Sequence, residues 1–244
     1  MQNEITLSPI GYLQSDLKQR YETPRQGVLE KGNTAVINLI PKNNFEQAVK
    51  DLNGFDRIWV IYQFHLNKNW KPLVSPPRHT RKKIGVFATR APYRPNQIGL
   101  SCVKLDKVEG LKIYISQSDV LDGSPIIDIK PYLPYSDSFP NSKTGWVKSG
   151  LENIYEVIFE TKVKKIADKL LAKENVNLFN YANVQLEFNP TDTKRKRISI
   201  PIKKSNKKNN FILAYQKWRI NYIVDEKNKK VFITSITTER VKPI

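Results

Sequence analysis

Two stretches combine residue types that could do chemistry. Arg90-Ala-Pro-Tyr-Arg-Pro-Asn-Gln-Ile-Gly99 places two arginines and two prolines directly after an expected strand. Each proline fixes its own φ and drives the residue before it into an extended conformation, so this loop is stiff. Stiffness lowers the entropic cost of aiming a guanidinium fork at an anionic or planar ligand, and Arg90 and Arg94 are the candidates. The same composition also suits a connecting loop with solvated arginines. The second stretch is Asp119-Val-Leu-Asp-Gly-Ser-Pro-Ile-Ile-Asp-Ile-Lys-Pro-Tyr132. Asp122-Gly123 is expected to turn and Pro125 to open a strand. On that strand Asp128, Lys130 and Tyr132 would share one face, with Ile127 and Ile129 on the other. Such a face is either solvated surface or the wall of a site where Asp128 and Lys130 neutralise one another beside a ligand. His65 ends the most apolar strand and is either a satisfied core histidine or a ligand-facing group. Ser75-Pro-Pro-Arg-His79 reads as a surface turn.

Common enzyme signatures are missing. No glycine-rich loop follows a strand, which excludes the dinucleotide fingerprint and the P-loop. No Gly-x-Ser-x-Gly elbow or metalloprotease pattern occurs. Two histidines and one cysteine argue against a dedicated metal site. Toward the C-terminus, Lys194-Arg195-Lys196-Arg197 and Lys203 to Lys208 flank an expected strand, with Tyr215, Trp218 and Tyr222 nearby. Basic residues interleaved with aromatics suit RNA, where phosphates meet cations and unpaired bases stack on rings. A solvated hairpin over core aromatics is the alternative.

The elements that must position these residues are mostly strands. Ile5–Leu13, Ala35–Ile40, Phe55–His65, Ile84–Thr89, Leu100–Leu105, Leu111–Gln117 and Ile126–Lys130 have strand character, with turns at Glu109-Gly110 and Asp122-Gly123. The unbroken run Ile58-Trp-Val-Ile-Tyr62 predicts a strand buried on both faces. Asn44–Leu52 has helical spacing, with Asn43 or Asn44 as cap and Gly54 as terminator. Many short strands with few helices predict a mainly β first domain, a barrel or rolled sheet, over residues 1–140. Ser136–Gly150 reads as a linker. Residues 141–244 read as a smaller α+β domain: a strand at Ile154–Phe159, one or two helices within Lys164–Phe188, and strands at Arg197–Ile202, Phe211–Val224 and Val231–Ile236.

Charge narrows the partner. The net charge is +18 and the pI about 9.8, and roughly +12 of that excess lies beyond residue 140. A polyanion is the expected partner, with nucleic acid ahead of an anionic membrane surface, although a lysine-rich proteome gives the same bias. No apolar run approaches the roughly 18 residues of a membrane span, and Met1 to Glu4 does not open a secretory signal. A single cysteine, Cys102, excludes an intrachain disulfide. A cytoplasmic protein without membrane association is expected.

Gly85-Val-Phe-Ala-Thr-Arg90, Arg94-Pro-Asn-Gln-Ile-Gly-Leu-Ser101 and Leu121-Asp-Gly-Ser-Pro to Asp128-Ile-Lys-Pro-Tyr132 resemble the TrmO-like (YaeB- or TsaA-like) family. The resemblance begins at Ile10-Gly11, passes Pro24-Arg-Gln26 and Phe64-His65, and ends near Tyr135. It implies a single-sheet β-barrel, S-adenosyl-L-methionine as cofactor, and methylation of N6 of threonylcarbamoyladenosine beside the tRNA anticodon. It implies that Gln26, Gly27, Val28, His65, Leu66, Arg90, a backbone contact near Leu100, and Gln117, Ser118, Asp119, Val120 and Leu121 line the cofactor pocket. A homodimer with that pocket near the subunit interface is implied too. Beyond the resemblance, the polar strand face suggests Asp128 or Tyr132 for deprotonation and Lys130 for the threonyl carboxylate. The anticodon loop of tRNA is the expected partner of Arg94, Lys194, Arg195, Lys196 and Arg197.

Two departures bear on specificity. Gln26 is followed directly by Gly27, where the family usually has an intervening proline. The C-terminal Asp-Pro-Arg-Pro run of bacterial members reads here as Asn189-Pro-Thr-Asp192. A methyltransferase with a different tRNA target, or a non-catalytic RNA-binding module on the same barrel, are the competing readings.

Overall fold

The computed structural model describes residues 5–18, 34–76, 82–147, 154–174, 176–201 and 209–238. The chain forms two compact units, Met1–Lys148 and Ser149–Ile244. Among the described residues eight strands lie in the first: β1 (Gly11–Ser15), β2 (Thr34–Leu39), β3 (Arg57–Gln63), β4 (Leu73–Val74), β5 (Ile84–Gly85), β6 (Ile98–Glu109), β7 (Lys112–Ser116) and β8 (Pro125–Pro131). Six of them close into an antiparallel barrel in the order β1-β2-β7-β6-β3-β8, with β8 returning to β1. Strands β4 and β5 form a separate two-stranded ribbon.

Alternation with period two builds the core. Leu13, Ile37, Ile58, Val60, Val103, Leu105, Ile113, Ile115 and Ile126 point inward, each such aliphatic chain contributing about 1.5–3 kcal/mol of transfer free energy. Closure leaves the barrel without unpaired edges. Strand β6 is long enough to pair with β3 through Ile98–Lys104 and with β7 through Lys104–Glu109. The Glu109-Gly110 turn is formed with Gly110 at φ 55°.

Several local expectations are corrected. Strand β3 is buried on one face only, because Trp59 and Ile61 lie on the outer wall while Ile58, Val60 and Tyr62 fill the barrel. The first strand begins at Gly11, not Ile5. The helix expected over Asn44–Leu52 is one turn, α1 (Phe45–Ala48). Asn44 and Asp51 take left-handed backbone angles, φ 56° and 67°, which interrupt the helix, and a 3-10 turn follows at Leu52–Gly54. Phe45, Val49 and Leu52 still pack on the core, so the periodicity was a true record of burial. In β8 a bulge opposite Ile61 and Tyr62 shifts the phase, and Ile126 and Ile129 face the core in place of Ile127 and Ile129. The strand expected over Ile84–Thr89 stops at Gly85 and becomes a 3-10 turn at Val86–Ala88. A helical turn, α2 (Pro134–Asp137), occupies the start of the expected linker.

The second unit is an α+β layer. Strands β9 (Glu156–Phe159), β10 (Ile198–Ser199), β11 (Asn210–Tyr215), β12 (Trp218–Asp225) and β13 (Lys230–Thr238) order as β10-β11-β12-β13-β9, with β9 parallel to β13. Helix α3 (Thr161–Glu174) buries Val163, Ala167 and Leu170, and α4 (Leu178–Leu186) starts on Asn177, whose side chain accepts from the Asn180 N–H at 3.0 Å. The single strand expected over Phe211–Val224 is a hairpin, turning at Gln216 with φ 48°.

Candidate active site

The described polar groups gather at the end of the barrel where β1, β3 and β7 terminate and β2, β6 and β8 begin. Tyr62 and Ser101 face the interior from adjacent strands, and Gly99 lies directly opposite Tyr62. The missing side chain at Gly99 makes the space the Tyr62 ring fills: a Cβ there would sit 2.4 Å from its Cζ. The Ser101 hydroxyl donates to the Asp119 carboxylate at 2.5 Å and lies 3.5 Å from the Tyr62 hydroxyl. Burial pushes the Asp119 carboxyl above the usual carboxylate range; the Ser101 hydroxyl, its own backbone N–H and the nearby Arg90 charge act in the opposite direction. Burial likewise pushes the Tyr62 phenol up.

Residues Gln117 to Ser124 carry this group from the β7 side across to β1. Gln117 takes φ 55°, and the Arg57 guanidinium donates to its side-chain oxygen at 2.5 Å. Ser118 and Val120 are fully buried, and the Ser118 hydroxyl accepts from the Val120 N–H at 3.2 Å. The turn at Asp122-Gly123 docks on β1: Asp122 accepts from the Ser15 N–H at 2.9 Å, and the Gly123 N–H donates to Leu13 O at 2.8 Å. His65 reaches the same segment, with Nδ1 3.3 Å from the Ser124 hydroxyl. His65, through Ser124, and Arg90, through its charge on Asp119, are thus tied to the same segment although far apart in sequence, and Leu66 next to His65 is exposed.

The arginine loop is anchored more firmly than its prolines imply. Arg94 turns back and donates through Nη1 to Thr89 O at 3.0 Å and Val86 O at 3.3 Å, with its guanidinium carbon 5.7 Å from the Phe87 ring centre. These bonds brace the 3-10 turn that follows β5, whose Val86 carbonyl also accepts from the Thr89 N–H at 3.1 Å. Arg90, by contrast, is exposed.

Other expected residues lie elsewhere. Asp128 and Lys130 form a 3.0 Å ion pair on the outer wall of the barrel, 46% and 63% exposed, and Tyr132 tilts against Trp59 at 5.8 Å. They do not converge with the interior group. Leu100 also points outward, on the face of β6 opposite Ser101. In the second unit Arg195 is drawn inward: Nη1 donates to Gln185 O at 2.6 Å and Nη2 to the Gln185 side chain. Burial lowers its pKa. Lys194, Lys196 and Arg197 are exposed. Gln26, Gly27, Val28, Arg78, His79 and Lys203 to Lys208 lie outside the described residues. Tyr62, Ser101 and Arg57 were not anticipated; a serine in an inward phase between Gly99 and Val103 is the one sequence sign that pointed to this group.

Fold and site together define a class: a single-sheet antiparallel barrel presenting opposite charges around one end. The chain belongs to the TrmO N-terminal domain family, residues 12–138 matching the family described as the tRNA-methyltransferase O N-terminal domain. It is 36% identical over 163 residues to the tRNA (adenine(37)-N6)-methyltransferase of Escherichia coli K12, covering 64% of this chain and 69% of that protein. A Pyrococcus abyssi protein named for S-adenosyl-L-methionine binding is 39% identical over 150 residues, 62% of this chain and 80% of its own length. The match to a Pseudomonas aeruginosa relative, 44% identical, spans 58% of that protein, and the match to a mouse relative 33%. The crystal structure of TrmO from Pseudomonas aeruginosa shares the fold, with a TM-score of 0.67 at 23% identity over 97% of this chain and all of that one.

Proposed function

We propose that this chain is an S-adenosyl-L-methionine-dependent tRNA methyltransferase acting on N6 of the threonylcarbamoylated adenosine 37, in the cytoplasm and as a homodimer. The observation that carries the reading is the meeting of Arg90, His65 and the Asp119 carboxylate at one end of a barrel of this family. Those charges fit the cofactor, whose amino-acid end bears a carboxylate and an ammonium: Arg90 suits the first and Asp119 the second. When bound, that cofactor supplies an activated methyl group. The residues of the chain bind, orient and exclude water. Ser118 and Val120 keep the floor dry, and Arg57 holds Gln117 in its strained conformation. Lys194 and Lys196 are exposed cations suited to tRNA phosphates, and Arg197 is exposed beside them.

The deciding assay is transfer of labelled methyl from the cofactor to tRNA with and without prior threonylcarbamoylation. Label confined to threonylcarbamoylated tRNA supports the reading. Label on unmodified tRNA, or cofactor binding without transfer, points to another target; RNA binding without cofactor binding supports the non-catalytic module. Arg90→Ala removes a charge-assisted bond of about 1.5–3 kcal/mol, which predicts a cofactor Kd raised roughly 10- to 100-fold. An unchanged Kd would take Arg90 out of the cofactor site.

A further inference from the structure

Next to the barrel end is a cavity of about 280 Å³ lined by Leu66, Asn67, Lys68, Asn69, Lys71 and Tyr93. Asn67 is the informative residue, since it is polar and only 6% exposed. Its side-chain NH₂ donates to Pro92 O at 2.7 Å, which fixes the amide orientation and leaves Oδ1 as an acceptor. That oxygen is buried and has no partner among the described residues. Buried acceptors are nearly always satisfied, and this unmet one belongs to a residue that lines the cavity, where a bound ligand N–H would complete it. The charged groups at the rim are both cations, beside the neutral Asn69 and Tyr93. Lys68 and Lys71 are both exposed, and the Lys71 ammonium is held 5.0 Å from the centre of the Tyr93 ring. The Lys71 backbone N–H also bonds Tyr93 O at 3.0 Å, which ties this wall to the arginine loop. None of the lining residues is acidic.

We propose that this cavity seats one nucleotide of the RNA substrate, its phosphate between Lys68 and Lys71 and an N–H of its base on Asn67 Oδ1. The proposal rests on the tRNA methyltransferase reading and adds a substrate subsite to it. Charge separates the cavity from the cofactor position: a sulfonium and an ammonium suit a site with a carboxylate, and two lysines without one suit a phosphate. Size agrees, because the cavity lies at the lower edge of small-molecule pockets, roughly 300–1,000 Å³, and one nucleotide fills it. Leu66, shared with the barrel end, makes this nucleotide a neighbour of the methyl acceptor.

The test uses the full chain, with a short anticodon stem-loop RNA and adenosine 5′-monophosphate as probes. The Lys68→Ala/Lys71→Ala double variant, altered only at exposed positions, is expected to melt as wild type and keep its cofactor Kd within about twofold. Its Kd for the stem-loop should rise about tenfold, and its plot of log K against log salt should become shallower by about 0.7 for the phosphate lost. Asn67→Asp, which puts a negative charge at the acceptor, should abolish adenosine 5′-monophosphate binding; if it fails to fold, the lysine pair decides alone. Unchanged stem-loop affinity and salt slope in the lysine variant would overturn the proposal. Equal losses of cofactor and RNA would overturn it too, by assigning the cavity to the cofactor. If the wild type shows the predicted RNA behaviour but transfers no methyl group, the catalytic reading fails and the nucleotide site stands.

Discussion

Gly99→Ala tests whether the interior polar group depends on a space left by a missing side chain. The new Cβ would lie 2.4 Å from Tyr62 Cζ and 2.7 Å from both Cε atoms. Carbon atoms pack at about 3.5–4.0 Å, so the ring has to move by roughly 1 Å. It has little room to do so: Tyr62 is 6% exposed, meets the Phe64 ring edge-on at 5.2 Å, and reaches Ser101 through its hydroxyl. Overpacking of this kind costs about 1–3 kcal/mol, and replacing glycine returns about 0.4–1 kcal/mol through the unfolded chain. A net loss of about 1–2 kcal/mol lowers the Tm of a chain this size by roughly 2–8 °C. The assay is a thermal melt of Gly99→Ala, Tyr62→Leu and the double variant, read with hydrogen exchange at β3 and β6. Removing the ring should relieve the clash, so the double variant should be less destabilised than the two single losses added together. A Tm within about 1 °C of wild type, or strict additivity, would refute the reasoning.

Three further outcomes follow from the described geometry. Because burial is the largest influence on the Asp119 carboxyl and raises its pKa, the native state holds more protons than the unfolded state above the ordinary carboxylate value. Stability therefore falls as pH rises above the ordinary carboxylate value, and Asp119→Asn should gain Tm relative to wild type as pH rises above about 4; a constant difference would show that the carboxyl does not titrate against burial. Arg195→Ala removes two bonds to Gln185 and should cost about 2 kcal/mol in the second unit, visible as faster hydrogen exchange in α4. Lys194→Ala/Lys196→Ala, in contrast, should weaken tRNA binding and leave the melt unchanged. If Arg195→Ala instead weakens RNA binding at full stability, the inward reading of that arginine is wrong.

What the sequence made legible, and what it did not, divides by the range of the interaction. The barrel could be read because period-two burial is local: Ile37, Ile58, Val60, Val103, Ile113 and Ile115 fall where alternation puts them. The Asn44–Leu52 helix was over-read because burial period and backbone conformation are separate properties. Phe45, Val49 and Leu52 keep the spacing while Asn44 and Asp51, residue types that tolerate positive φ, break the helix. In β8 only Ile127 departs from the expected alternation, with Ile126 inward in its place, because a bulge is a property of the pair, set against β3, and no residue of β8 announces it; Asp128 and Lys130 lie outside and Ile129 inside as alternation puts them. The meeting of Tyr62 and Ser101 with Asp119, which the family resemblance does name, was out of reach for the same reason. Ser101 is 39 residues from Tyr62 and 18 from Asp119, and only the pairing of β3, β6 and β7 brings the three together.

The arginines show most clearly what composition can and cannot say. Arg90 and Arg94 look equivalent in a stiff, proline-containing loop, and charge alone would send both to an anion. The structure divides them. Arg94 closes the loop on the carbonyls of Val86 and Thr89, which leaves Arg90 as the exposed cation beside Asp119. Stiffness then has three sources beyond the prolines: Arg94, the Asn67 amide on Pro92 O, and the Lys71 N–H on Tyr93 O. Two of those ties also involve residues that line the proposed nucleotide cavity, so on the proposed function the contacts that would hold Arg90 for the cofactor would also place Lys71 for the RNA. A nucleotide bound there would press on the anchors of the arginine loop, and linkage requires the effect to be mutual. Stem-loop RNA should therefore tighten cofactor binding, by the same factor that cofactor tightens RNA. Arg94→Ala, which frees one end of the loop, should reduce that factor more than it reduces either affinity alone. Titration of cofactor with and without saturating stem-loop measures the factor directly; a coupling of one in the wild type would mean that the loop transmits nothing between the two sites.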